Sequence, residues 1–318
     1  GAPKTYFKEE IGTTVISVRE LLTEPCLVFP LITDIHYKSV TAAPQIFDTS
    51  IINMQNVVKQ IACDFVLDLG DNIGGYTDQT ESRKRVDHMM NQFRTLHLPL
   101  ISAIGNHDTN YYHNSDDMFS LSEMFGLYIS STKDVVYNHA MSGTDYYKDF
   151  DNLNIRLVVL NGSYGDRYKY STETVNWFIN TALDTDKMVI LAVHFSIINT
   201  QNYNHTGDKT NGDMMAAAIT DFINNGGTLI QLCGHSHIDY AYTSPWLTVY
   251  SSAAMFENVD LTTSRYTKLQ GYTGNLVAPK REVGTVTEDC WSVVVVRPQA
   301  RKINFVRFGA GEDREFSF

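Results

Sequence analysis

Cys26-Leu27-Val28-Phe29-Pro30-Leu31-Ile32-Thr33-Asp34-Ile35-His36 is an apolar run that ends on an acid and an imidazole, and the pattern recurs along the chain. Phe65–Leu69 leads into Gly70-Asp71-Asn72, and Leu98–Ile104 into Gly105-Asn106-His107-Asp108. Met188–Val193 leads into His194, and Thr228–Cys233 into Gly234-His235-Ser236-His237. A sixth run, Ile155–Leu160, stops at Asn161. Short β-branched runs bounded by polar clusters read as strands. Between them, Gln45–Ala62 spaces Ile46, Ile52, Val57, Val58 and Ile61 at helical intervals, and Thr172–Leu183 does so with Val175, Trp177, Phe178, Ile179 and Leu183. Gly212–Asn225 is a third helix, stopped by Gly226-Gly227. Parallel-type strands joined by helices make an α/β fold.

Working outward, the 318 residues are 43% hydrophobic, 12% aromatic and 19% charged, the balance of a folded chain with a substantial core. No internal repeat or long linker divides them. Residues 1–25 read as an N-terminal lead-in, helical or strand-like over Thr5–Leu22, and 26–318 as a single domain. Within that domain, 109–151 is a loop and hairpin insertion, with a short amphipathic stretch at Met118–Phe125 and a hairpin at Val135–Asn138 and Tyr146–Phe150. After residue 238 the chain turns strand-rich, with Ala241–Tyr250, Trp291–Arg297 and Lys302–Phe308 around an excursion at 261–286. No apolar run approaches the ~18 residues of a transmembrane helix.

The 36 acids against 25 bases give a net charge of −11, which argues against an extended nucleic-acid groove or an anionic membrane as partner. Any phosphate site must be locally positive. The run Arg83-Lys84-Arg85 reads as a solvated helix face. Cys26, Cys63, Cys233 and Cys290 form no C-x-x-C pair and read as reduced, mostly buried thiols. The start at Gly1-Ala2-Pro3 without Met reads as a trimmed chain, either cytoplasmic or exported with a signal peptide removed.

Five strand ends with the same chemistry are a site, because open α/β sheets place ligands at the carboxyl ends of strands. In extended chain i and i+2 face one side, so Asp34 with His36, and His235 with His237, can share a pocket. Gly70, Gly105 and Gly234, each just before a ligand, give the chain freedom to turn sharply there. Imidazoles from His36, His194, His235 and His237, carboxylates from Asp34 and Asp71 and the Asn106 carbonyl suit mid-series divalent ions such as Mn, Fe, Zn or Ni, and no thiolate is present for a structural zinc cage. Seven ligands exceed the needs of one ion. Two ions ~3.5–4 Å apart that share a carboxylate use them all and leave room for water and substrate.

The order D-x-H, G-D, G-N-H-D, H, G-H-x-H resembles that of the calcineurin-like metallophosphoesterases, over about residues 26–240. The resemblance implies a four-layer α-β-β-α sandwich, two mixed sheets flanked by helices, and a cofactor of two divalent metal ions. It implies that Asp34, His36, Asp71 and His237 hold one ion, that Asp71, Asn106, His194 and His235 hold the other, and that Asp71 bridges. His107 would stand beside the scissile phosphate as acid or electrostatic residue, with Asp108 orienting its imidazole. The implied activity is hydrolysis of phosphate esters, on a small-molecule or polymer substrate, by a metal-bound water or hydroxide.

Departures from the family narrow the expectation. Its serine/threonine phosphatases carry one Arg after the G-D block and another before G-N-H; here those stretches read Asn72-Ile73-Gly74-Gly75 and Ser102-Ala103-Ile104. Its purple acid phosphatases replace the first-block His by Gly and place Tyr three positions after the bridging Asp; here stand His36 and Gly74. The stretch after His237 is short for the C-terminal domain of the secreted 5′-nucleotidases. Phosphodiesters are therefore the expected substrates, because dianionic monoesters benefit from Arg forks. The alternatives are a phosphomonoesterase acting on a nucleotide or small phosphate ester, a nuclease, which lacks a basic track here, and a catalytically silent protein-binding scaffold. Tyr111, Tyr112, His113, Tyr203 and His205 lie in loops that leave the motifs and are candidate substrate contacts. Lys38, Arg167, Lys169 and Lys209 could bring positive charge. Asp68 and Asn161 either brace the site or serve local structure, Cys233 reads as core, and His88, His97 and His139 as structural or surface residues. The end, Arg307–Arg314, is similar to the ends of some bacterial and phage-encoded members and reads as a last strand and a charged turn.

Overall fold

Strand β1 (Leu27–Ile32) is buried at every position, as a strand covered on both faces must be. The computed structural model describes residues 6–38, 44–111, 114–163, 169–198, 209–273 and 275–318. In it, β1 pairs in parallel with β2 (Val66–Asp68), and β2 with β3 (Leu100–Ser102). On its other side β1 runs antiparallel to β11 (Cys290–Arg297), with Leu27 opposite Val296; β12 (Lys302–Gly309) and β13 (Arg314–Ser317) complete this six-stranded sheet.

Among the described residues the second sheet has seven strands. β6 (Ile155–Val159), β7 (Met188–Val193), β8 (Leu229–Cys233) and β10 (Leu247–Tyr250) are mutually parallel in that order. The hairpin β4 (Val136–Tyr137) and β5 (Tyr146–Phe150) adds antiparallel to β6 at one edge, and β9 (Tyr240–Tyr242) to β10 at the other.

Alternation along the strands builds the layers. Leu157, Val159, Ile190, Ala192, Ile230 and Leu232 join one core with Leu31, Leu67, Val293 and Val295 of the first sheet. Their neighbours Val158, Val189, Leu191, Val193 and Leu229 face the other way, onto helices. Those helices are α5 (Thr172–Trp177), continued by a π turn at Phe178–Ala182, α6 (Lys209–Asn224) and α7 (Ser264–Thr273). The first sheet is covered by α1 (Lys8–Leu21), α2 (Phe47–Val58) and α3 (Gln79–Arg94). In α1, Ile11, Val15 and Val18 recur at i, i+4 and i+7 and are buried in that core. The result is the four-layer α-β-β-α sandwich.

The lead-in, helical or strand-like in the sequence reading, is a helix packed against β11 and β12. Other elements differ from that reading. The stretch Ala241–Tyr250 is two strands, β9 and β10, parted by a turn that contains Pro245. The 261–286 excursion holds α7, and the charged turn after β12 leads into β13. Met118–Phe125 holds α4 (Leu121–Met124), started by a capping box from Ser120 and Glu123 and followed by a π turn at Phe125–Ile129. All four cysteines are free, and Cys233 lies in the second core.

Arg307 at the end of β12 forks onto Asp239 at 2.8 and 2.7 Å, with Arg314 at 3.3 Å. Arg307 and Asp239 are buried, and the pair ties the first sheet to the segment just after His237. Among the described residues no helix is long and apolar enough to cross a membrane.

Candidate metal centre

Three of the five strand ends, those after β1, β2 and β8, turn through left-handed backbone to present their candidate ligands. Asp34, His36, Asp71, His235 and His237 have φ of 52°, 45°, 58°, 65° and 62°, the left-handed region that side chains rarely adopt. Such residues persist only where the surroundings dictate them, at about 1–3 kcal/mol each, and they gather at functional sites. Of the three glycines, Gly70 has such a backbone, with φ of 94°. Gly105 is required for a different reason: a Cβ there would meet Asp71 Oδ1 at 2.2 Å and the Asp71 nitrogen at 2.3 Å. At Gly234 a Cβ would meet Thr33 Oγ1 at 2.0 Å. A Cβ on Gly70 would also meet the Gly105 nitrogen at 2.5 Å, so all three serve close approach of one strand end to another.

The predicted ligands converge. Ligand atoms of Asp34, His36 and His237 lie within 4.8 Å of one another, as do those of Asp71, His194 and His235. Asp71 also falls within that distance of His36 and His107, so its carboxylate stands between the two groups. Asp71 Oδ2 is 3.1 Å from His194 Nε2 and 3.5 Å from His36 Nε2, while Oδ1 accepts from the His107 amide at 2.8 Å. Asn106 is buried between Gly105 and His107, whose amides are bonded to Asp108 and Asp71.

Whether these residues fit metal ions can be judged from their lone pairs. Asp34 Oδ2 accepts from the His235 amide and Thr33 Oγ1. Its Oδ1 is buried without a hydrogen bond and faces Nε2 of His237, His36 and His194 at 3.3, 3.7 and 3.9 Å. His194 Nδ1 donates to the Leu69 carbonyl at 2.8 Å and His237 Nδ1 to Glu257 Oε2 at 2.7 Å, so in the neutral rings both Nε2 atoms carry lone pairs. His36 and His237 bring their Nε2 atoms within 3.2 Å, and His194 Nε2 lies 3.2 Å from His235 Nδ1. Acceptors so placed repel unless a proton or a cation lies among them.

The electrostatics agree. Burial lowers the affinity of His194 for a proton, but Asp71 and then Asp34 overcome it and push the imidazole up to about 10. For His237 burial is likewise outweighed, by Asp34 and then Glu257, and the ring is pushed up to about 9. The same field attracts divalent cations, which displace those protons when they bind. Nitrogen and oxygen donors without thiolate suit borderline divalent ions. The residues present fit such ions.

Around the ligands, two expected roles change. The Asp108 carboxylate does not orient His107: its two oxygens accept the backbone amides of Asp71, Asn72 and Gly105, each at 2.8 Å. His107 Nδ1 instead donates to the Gly74 carbonyl at 2.7 Å. The ring lies 4.6 Å from that of His36, and burial, opposed by Asp71, pushes it down to about 4. His107 is therefore neutral at pH 7, with its proton on Nδ1. Asp68 is buried and accepts from the Gly70 amide and Asn72 Nδ2, so it braces the turn that carries Asp71. Asn161 serves its own turn, through Ser163, Thr144 and Asp145. His97 and His139 are exposed, and His88 pairs with Asp48 at 2.7 Å.

Tyr111 is half-buried, with its amide bonded to Thr109 Oγ1. Tyr112, His113, Arg167, Tyr203, His205 and the side chain of Lys209 lie outside the described residues. Sequence reasoning missed Glu257 behind His237, Tyr76, whose ring stands edge-on to His107 at 5.5 Å, and Arg265, which donates to the His235 carbonyl at 2.7 Å. Tyr76 follows a motif closely enough to have been found; Glu257 and Arg265 follow none.

Comparison with curated protein sequences finds no match. Among solved structures, a dimetal phosphatase from Danio rerio is similar with a TM-score of 0.62 at 11% identity, over 93% of this chain and 100% of that one. A purple acid phosphatase from yellow lupin seeds gives 0.59 at 12% identity, over 93% of this chain and 54% of that one, so this chain spans about half its length. At such identities the likeness is one of fold. The family model for calcineurin-like phosphoesterases matches residues 29–239, about two thirds of the chain. With that match over all five strand ends, the chain belongs to the calcineurin-like phosphoesterase family and is a metal-dependent phosphoric ester hydrolase.

Proposed function

We propose that the chain hydrolyses phosphate esters at a two-ion site and prefers diesters to monoesters. Asp34, His36, Asp71 and His237 would hold one ion, Asp71, Asn106, His194 and His235 the other, with Asp71 shared. When bound, two divalent ions acidify water to a nucleophile near neutral pH and neutralise charge on the phosphate oxygens. The chain's own residues do the rest. Asp108 and Asp68 fix the turn that aims Asp71. His107, with its proton on Nδ1 held by Gly74, offers Nε2 to take up a proton and pass it to the departing oxygen.

The observation that carries the diester reading is the make-up of the rim. Tyr76, 37% exposed, sets its ring beside His107, and the Glu257 carboxylate adds negative charge beside His237. Where related phosphatases carry arginines, this chain has Asn72–Gly75 and Ser102–Ile104, and the Gly74 carbonyl is engaged by His107. A dianionic monoester finds no guanidinium fork at those positions, whereas a diester brings one charge and a second organic group that an aromatic ring can stack on.

The test is kcat/KM for bis-p-nitrophenyl phosphate against p-nitrophenyl phosphate on one Mn-loaded preparation at one pH. The expected ratio exceeds one, and Tyr76→Ala moves it toward one. A wild-type ratio below one moves the reading to a monoesterase, and no hydrolysis of either moves it to a scaffold.

A further inference from the structure

His237 differs from His194 in what stands behind it. The Nδ1 of His194 donates to a neutral carbonyl, that of Leu69, whereas the Nδ1 of His237 donates to a carboxylate, Glu257, at 2.7 Å. Glu257 lies on a strip that is anchored with unusual care. The amides of Ala254 and Met255 donate to the carbonyls of Thr33 and Asp34 at 2.8 and 3.0 Å, so the strip runs alongside the first ligand block. Its carbonyls are held from the other side by Arg281, a buried side chain whose guanidinium donates to Ala253, Ala254 and Met255 as well as to Thr287 and Glu288. One strip thus fixes the backbone of Asp34 and, two residues on, places an acid behind His237. Asp34, His36 and His237 are the residues grouped around one of the two ion positions.

We propose that Glu257 is a positioning residue for one ion of the pair, and that it does so by fixing the tautomer and orientation of His237 and making its Nε2 a stronger ligand. This rests on the two-ion reading above. A carboxylate behind a ligating imidazole raises its basicity and holds the ring, and loss of such a partner typically weakens metal binding 10–100-fold. Because Glu257 touches His237 and not His194, the effect falls on one ion and spares the other.

The experiment uses the full chain, stripped by chelation and titrated with Mn2+ alone, with free Mn2+ followed by electron paramagnetic resonance. Glu257→Gln keeps an acceptor oxygen and loses the charge; Glu257→Ala loses both. The expected result is two Mn2+ per wild-type chain, with one of them bound ~10–100-fold more weakly in Glu257→Gln and at least as weakly in Glu257→Ala, the other unchanged. Hydrolysis by Glu257→Gln should return toward the wild-type rate as Mn2+ is raised, which a fold defect would not allow. Wild-type affinity for both ions in both variants overturns the proposal, and so does an equal loss at both ions. If Glu257→Ala fails to fold, the near-isosteric Glu257→Gln decides alone. A wild-type chain that takes up a single Mn2+ overturns the two-ion reading instead, and Glu257 is then judged on that one ion by the same comparison.

Discussion

His107 shows how far a residue type constrains chemistry and where geometry takes over. The motif places an imidazole beside the ligands; only the packing shows that burial keeps it neutral and that Gly74, not Asp108, holds its proton. The Nε2 atom must therefore acquire a proton before it can give one. His107→Ala is expected to keep both ions and lose ~10²–10⁴ in rate, with a larger loss for an alkyl ester than for a p-nitrophenyl ester, whose leaving group departs without a proton. Equal losses for the two esters, read from kcat/KM, would assign His107 to orienting the substrate. The candidate metal ligands were legible because each is the polar end of an apolar run. Glu257 was not, since Ser251–Val259 has no periodicity and its acid acquires meaning only from His237 across the fold.

At the scale of elements, the strand ends are packed against one another more tightly than a strand-by-strand reading conveys. The turn after β2 and the turn after β3 touch through Gly105, where Asp71 leaves no room for a methyl group. Gly105→Ala should therefore lower stability by about 1–3 kcal/mol in urea unfolding and reduce the Mn2+ held per chain, since the backbone and carboxylate of Asp71 must both shift. Gly126→Ala, where the added Cβ meets nothing within 4 Å, is the control and should leave both values near wild type. The parallel strands were legible from β-branched runs between polar clusters. α7 and β13 were hidden for physical reasons: Ser264–Thr273 mixes Thr, Tyr and Gly with few aliphatic positions, and Arg314–Ser317 is four residues long with alternate positions exposed.

For the whole molecule, the site is where the two sheets meet. Asp34, His36, Asp71 and Asn106 follow strands of the first sheet, and His194, His235 and His237 follow strands of the second. The Arg307–Asp239 pair, which no motif announces, fastens the sheets just behind His237; breaking such a buried pair typically costs 3–5 kcal/mol. Asp71 faces ligands from both sheets, and the account stands on its sharing between two ions. Asp71→Asn keeps an oxygen for the His107 amide and leaves the strands untouched, so the fold should survive the change. The most direct test is elemental analysis of Mn-loaded wild type and Asp71→Asn, with circular dichroism to confirm the fold. Two ions per chain are expected in the wild type and one or none in the variant; two ions per folded chain in Asp71→Asn would rule out Asp71 as the shared ligand.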